Sequence, residues 1–324
     1  MSQNSANPKL AIVIHTEEEF DWNGGFHPQN NQVTHGNELI SYCNELISVG
    51  AKVTLAMDYA FINSPEGNNV IQHFLSEKDN NIEFATHLHP WVSPPIEDEL
   101  NQISNQHSYP GNLAKHIESE KLKMLTDKIA QLTNSNPITY LAGRYGIGPN
   151  TNEILHSLGY KIDISVSPFS DFSHQQGPDF SQFNNQTFVK DNLTHWPHTT
   201  AIVSLLPLVT RYFNNNPQRF EHSQKSLVLR IINKLLRVKR QRLSPEGFSL
   251  KEMQRLTLSQ IALGQTDFIL SFHSPSVKSG LTPYVKDKNQ LQQFKSNTLE
   301  YVRWFTQTLG GKPILVKNNC AIES

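Results

Sequence analysis

The run Leu10-Ala11-Ile12-Val13-Ile14, followed at once by His15-Thr16-Glu17-Glu18-Glu19-Phe20-Asp21-Trp22, constrains this chain more than any other stretch. A β-branched run of that length reads as a buried strand, and ionisable groups just past it sit at the strand's C-terminal end. That is the end where α/β barrels and open α/β sheets place their chemistry. Period-2 alternation puts His15, Glu17 and Glu19 on one face and turns Glu18 away. The ordinary alternative is a solvated acidic loop opening a helix.

The rest of the chain repeats the theme. Strands are expected over 52–57, 81–87, 138–143, 161–166, 201–206, 268–272 and 313–316. Helices are expected over 37–49, 69–76, 112–132, 151–158, 225–238, 250–263 and 289–309. The stretch 167–190, rich in Ser, Gly, Pro and Asn, reads as a long surface excursion. Strands and helices alternating every ~30 residues imply βαβ units and parallel pairing. With no repeat and no linker, the expectation is one α/β domain over 10–324, a barrel, after a flexible 1–9.

Composition narrows the partners. The 324 residues carry a net charge of −1, which announces no nucleic-acid partner. Two cysteines, Cys43 and Cys320, lack metal-ligand spacing and fit a reducing compartment. No run of ~18 apolar residues is present, so a cytoplasmic protein is expected. Nothing in the sequence sets the oligomeric state.

A second cluster, Glu83-Phe84-Ala85-Thr86-His87-Leu88-His89-Pro90-Trp91, ends the third strand. His87 and His89 are two apart, so both imidazoles point the same way and reach one ion at about 2.0–2.1 Å. Glu17 supplies a carboxylate, giving a two-His-one-carboxylate site with open positions for water. His-x-His also arises by chance in a chain with 14 histidines. Two further strand ends, Gly143-Arg144-Tyr145-Gly146 and His273-Ser274-Pro275-Ser276, bring an Arg and a His towards the same barrel mouth.

These segments, with Asp163-Ile164-Ser165-Val166, Gly177-Pro178-Asp179-Phe180 and Ser244-Pro245-Glu246-Gly247, resemble in order the NodB-homology polysaccharide deacetylases, carbohydrate esterase family 4. The resemblance runs from about residue 10 to 309 and is nearest the WalW-like branch, found with surface-polysaccharide gene clusters. It implies a distorted (β/α) barrel of fewer than eight units. It also implies removal of N-acetyl groups from a sugar, polysaccharide or glycolipid precursor with a divalent metal: zinc first, with Fe, Co and Mn the alternatives. Carried over, Glu17 is the carboxylate ligand and His87 the first His ligand. The second ligand usually lies four residues on, where this chain has Trp91, so His89 takes its place. Arg144 matches the arginine that orients the base, and His273 the general acid. Asp163 and the Pro168-Phe169 segment match the motif that walls the pocket and supports that acid.

One departure stands out. Where the resemblance implies an Asp base two residues before Glu17, this chain has His15. Three uses stay open: His15 as base, His15 as a third nitrogen ligand with Glu19 or Asp21 as base, or a sugar-binding homologue without catalysis. In the implied mechanism His15 accepts the proton of the attacking water and His273 protonates the departing amine. Arg144 beside His15 lowers its pKa and slows turnover.

Three features stand apart from these motifs. The stretch 225–242 combines Lys and Arg with apolar residues at helical spacing, an amphipathic basic helix. Its ordinary reading is the solvated face of an outer barrel helix; the functional one is weak contact with an anionic membrane or a lipid carrier. His195-Trp196-Pro197-His198 either lines the sugar site or packs inside, and His27 and His35 are expected in loops or at the surface.

Overall fold

Strand β1 (Lys9–Thr16) is buried from Leu10 onward, and its side chains divide by parity. Leu10, Ile12 and Ile14 join the large apolar layer between sheet and helices, whereas Ala11 and Val13 belong to a second layer inside the sheet's curl. The protein is described by a computed structural model for residues 7–77, 80–96 and 102–321. Lys9 already lies in β1, and of the flexible leader expected over 1–9, residues 1–6 fall outside the described ones.

Helix α1 (Gly36–Ser48) returns the chain to β2 (Val53–Met57), parallel to β1. Helices α2 (Tyr59–Asn63) and α3 (Pro65–Ser76) precede β3 (Ile82–Leu88), and α4 (Lys115–Thr133) precedes β4 (Thr139–Ala142). Helix α5 (Thr151–Ser157) leads to β5 (Ile162–Asp163), after which β6 (Phe188–Lys190) and β7 (Leu193–His195) form an antiparallel pair. After an excursion through β8 (Thr200–Val203), α6 (Pro207–Asn215), α7 (Pro217–Lys225), α8 (Leu227–Leu235) and β9 (Lys239–Arg242), helix α9 (Leu250–Ile261) leads to β10 (Asp267–His273). Helix α10 (Lys288–Gln307) and the two-residue β11 (Lys312–Pro313) complete the element order.

The sheet runs β10-β1-β2-β3-β4-β5-β7-β6, parallel except for the last pair. It curls without closing. The outer edge of β10 is met by Thr199, whose Oγ1 accepts from Ile269 N at 2.9 Å, and by Leu243, whose carbonyl accepts from Ser271 N at 3.1 Å. This is an incomplete, distorted (β/α) barrel in one α/β domain, as expected.

The excursion is where expectation and structure part. Helix 225–238 is not one element: α7 ends at Lys225, Ser226 caps α8 by accepting from Leu229 N, and β9 follows. Sequence periodicity showed neither α6 nor α7. Strands β8 and β9 form a separate antiparallel ribbon, with the three helices between them. A small core of Phe169, Ile202, Phe213 and Phe220 holds this part together.

Candidate active site

Parity inside the barrel sets the site. The inward series Ala11, Val13 on β1 continues to His15; Ala85 on β3 continues to His87; Ile269 and Ser271 on β10 continue to His273. His15 and His273 are register partners on adjacent strands, and their rings lie 4.9 Å apart. His15 lies 5.2 Å from His87 and 5.5 Å from His198. Small inner residues below this layer leave the imidazoles room.

Glu17 stands at the centre. Its Oε2 is 3.3 Å from His87 Nε2 and 3.6 Å from His89 Nε2. The other ring nitrogens are engaged outward: His87 Nδ1 donates to Leu141 O at 3.0 Å and His89 Nδ1 to Glu18 Oε2 at 2.9 Å. Ligating histidines are oriented in this way, through the nitrogen that does not bind the ion. His15 Nε2 is buried and has no hydrogen-bond partner. Donor atoms of His15, Glu17 and His87 all lie within 4.8 Å of one another. An orphaned buried nitrogen beside a carboxylate that two further imidazole nitrogens face fits a divalent ion of the nitrogen-binding class.

Glu18 is not turned away. Past Thr16 the strand ends and alternation lapses, so Glu18 is buried, accepting from His89 and, at 2.7 Å, from Trp91 Nε1. Asp58, which caps α2, brings Oδ2 to 3.4 Å from His89 Nδ1 and accepts from Glu18 N at 3.3 Å. Burial, then the Glu18 charge, pushes Asp58 up to about 7. Burial opposes the charge on His89, yet the facing carboxylates hold its pKa well above the ordinary imidazole value. Trp91, standing where a second His ligand is usual, stacks on His89 at 4.2 Å instead. Gly143 is required here, since a Cβ would meet the Leu88 carbonyl and crowd the His89 ring.

His273 is oriented by Glu246, whose Oε2 accepts from Nδ1 at 2.8 Å and whose Oε1 accepts from the His273 backbone N–H at 3.1 Å. Burial works against its charge, but Glu246 and Glu17 raise its pKa to about 9, so it is protonated at neutral pH. His15 goes the opposite way: burial first, then His273, His87, His198 and Arg242, hold it well below its ordinary value.

Two residues expected in the machinery take other partners: Arg144 lines the cavity at its rim, and Asp163 lies outside it. Arg144 and Tyr145 both have left-handed backbones, with φ of 55° and 60°, which sends their side chains in opposite directions. Tyr145 points inward, 6.0 Å from His15. Arg144 lies on the rim, stacked on Tyr109 and Phe26 and donating to Asn105, Ser108 and Gln175. The pKa of His15 is lowered as expected, but chiefly by burial and the neighbouring histidines; the arginine that adds to this, as the smallest contribution, is Arg242, whose guanidinium lies over Tyr145 at 4.6 Å. Asp163 does not reach His273; it accepts from His195 Nδ1 at 2.9 Å and from Ser165. Glu246 fills the supporting role instead, in a segment the sequence marked without giving it one.

Glu19 and Asp21 do not reach the site either. Glu19 accepts from Thr34 Oγ1 at 2.6 Å and faces His35, which is fully buried against Ser274 rather than on a loop surface. Asp21 is exposed in a turn. Of His195-Trp196-Pro197-His198, Trp196 packs inside the barrel and His198 reaches the site. The resulting cavity, about 250 Å³, has Phe20, Trp22 and Phe26 at its mouth.

No protein-family model matches this chain, and no curated protein matches it in sequence. Solved structures do match. PuuE allantoinase superposes with a TM-score of 0.52 at 10% identity, covering 97% of this chain and 89% of that one. The 4-alpha-glucanotransferase from Thermococcus litoralis gives 0.53 at 10% identity, covering 98% of this chain and 41% of that one. This chain thus spans under half of the glucanotransferase. A putative polysaccharide deacetylase from Mycobacterium smegmatis gives 0.46 at 10% identity, with 98% and 96% covered. At such identity the likeness is one of fold.

Proposed function

We propose that this chain is a metal-dependent hydrolase that removes N-acetyl groups from a sugar in surface-polysaccharide or glycolipid biosynthesis, acting in the cytoplasm. One observation carries the reading: imidazole nitrogens with no other hydrogen-bond commitment converge on Glu17, across from a protonated His273. Glu17, His87 and His89 would hold the ion, with zinc the first choice for such donors. When bound, it supplies polarisation of the N-acetyl carbonyl and acidification of a water.

The remaining chemistry belongs to the side chains. His15 is neutral at pH 7 and its Nε2 is uncommitted, so it can accept a proton from water. Its depressed pKa makes it a weak acceptor, which predicts slow turnover. His273, held by Glu246, delivers a proton to the departing amine nitrogen. Trp22, set edge-on to Tyr284 at 5.6 Å, offers a half-exposed apolar wall for a sugar ring.

Metal content and acetate release from N-acetylated oligosaccharides test the reading together. His15→Ala should keep the ion and lose activity; loss of the ion would make His15 a ligand instead. His15→Asp should raise the rate, and a fall would overturn its assignment as a weak base. A second reading is a sugar-binding homologue without turnover, favoured by the turning away of Arg144 from His15. Metal bound at one equivalent with no acetate released from any N-acetyl sugar would select it.

A further inference from the structure

Among the described residues, ten of the seventeen large apolar side chains exposed to solvent lie between 205 and 235, in the excursion carried by β8 and β9. Leu208 is 80% exposed, Leu235 72%, Leu227 70% and Val228 66%. Scattered exposed leucines need no explanation, but a cluster of this density does.

The cluster is not a barrel helix with its face turned wrongly by chance. Leu227, Ile231 and Leu235 recur every four residues and so share one face of α8, spanning about 80°. Asn233, 6% exposed, marks the opposite face, donating to Ser223 Oγ at 2.7 Å. The helix packs through Asn233 and the half-buried Leu236 and shows the Leu227, Ile231 and Leu235 stripe to water. The excursion is also anchored: Asn214 donates to the Ile202 carbonyl at 2.7 Å and accepts from Gln260 of α9 at 3.2 Å. An outer barrel helix with a solvated polar face, the ordinary expectation for this stretch, is excluded by that arrangement.

Charge identifies what covers it. Residues 204–238 hold six Lys and Arg against one acid, Glu221, in a chain whose total is −1. Arg230 and Lys234 lie along the flank of the apolar stripe, both exposed. An apolar strip edged by cations is the pattern of a helix that lies in the interface of an anionic bilayer. A second copy seated face to face would oppose two cationic patches, so it fits poorly.

We propose that the α6–α8 excursion docks this protein onto the surface of an anionic lipid bilayer, with α8 lying in the interface. The excursion is joined to the site through β9, whose last residue, Arg242, lies over Tyr145. The docking itself does not depend on the hydrolase reading.

The test is sedimentation of the full chain with vesicles of phosphatidylcholine alone or with ~30% phosphatidylglycerol. At least ~10-fold stronger partition onto the anionic vesicles is expected, weakening with added salt. L227E/L235E and, separately, R230E/K234E should each cut that partition by ~10-fold with unchanged thermal melting, since all four side chains are exposed. Equal partition onto both vesicles, or none, overturns the proposal. So does a concentration-dependent dimer that L227E/L235E dissociates, which would assign the face to a second copy.

Discussion

Two buried carboxylates mark the two ends of the barrel interior, and they are treated in opposite ways. Glu83, near the start of β3, accepts from Thr139 Oγ1 at 2.6 Å, Thr54 Oγ1 at 2.9 Å and Lys317 N at 2.9 Å. Burial raises its pKa, and every neighbour is a committed donor. Glu17, beyond the end of β1, faces the Nε2 atoms of His87 and His89, with the unpartnered His15 Nε2 beside them. One end spends its polar groups on each other and is structural; the other leaves them open and can bind.

The largest effect expected from breaking this contrast is at Glu17. Glu17→Ala and His87→Ala should each take metal content from about one equivalent to near zero and cut acetate release by ~10²–10³-fold or more. Metal retained in both variants would refute the ligand assignment. Glu83→Ala should do the reverse: about 2–4 kcal/mol of stability lost to denaturant, as its donors are orphaned, with metal content unchanged.

Smaller effects sharpen the contrast. Glu18→Gln should weaken ion binding by ~10–100-fold, measured by competition with a chelator, because it loosens the outer hold on His89. An unchanged affinity would make Glu18 a packing residue. Glu246→Gln addresses pH. With the folded pKa of His273 raised to about 9, its stabilising pairing is fully present below the ordinary value near 6.5. That contribution is lost as pH rises through about 9. In the variant, both that slope in melting temperature and the alkaline limit of activity should move down by about two pH units. An unmoved alkaline limit would remove His273 from the role of acid.

Much of this was legible in the chain itself. The buried run ending in His15 and the His87-x-His89 pair needed only strand periodicity, since each continues an inward series begun by small residues. What lay beyond the strand ends was not legible. Glu18, Asp58 and Glu246 act where alternation no longer applies, so even where the segment was marked, as for Glu18 and Glu246, periodicity gave the side chain no direction or partner. Asp163 shows the converse, a carboxylate at a strand end whose partner is the neighbouring His195. Strand β9, Lys-Arg-Gln-Arg, has no apolar residue to announce it; pairing with β8 makes it a strand.

That pairing has a consequence for how the molecule can vary. Val203 and Lys239 are register partners, so residues 204–238 leave and re-enter the barrel at one point. The ribbon acts as a socket: whatever is plugged between those two positions can change length or character without shifting a strand of the main sheet. The chemistry at the mouth and the address carried by the plug are separable traits. A lineage, or an engineer, can exchange one while keeping the other.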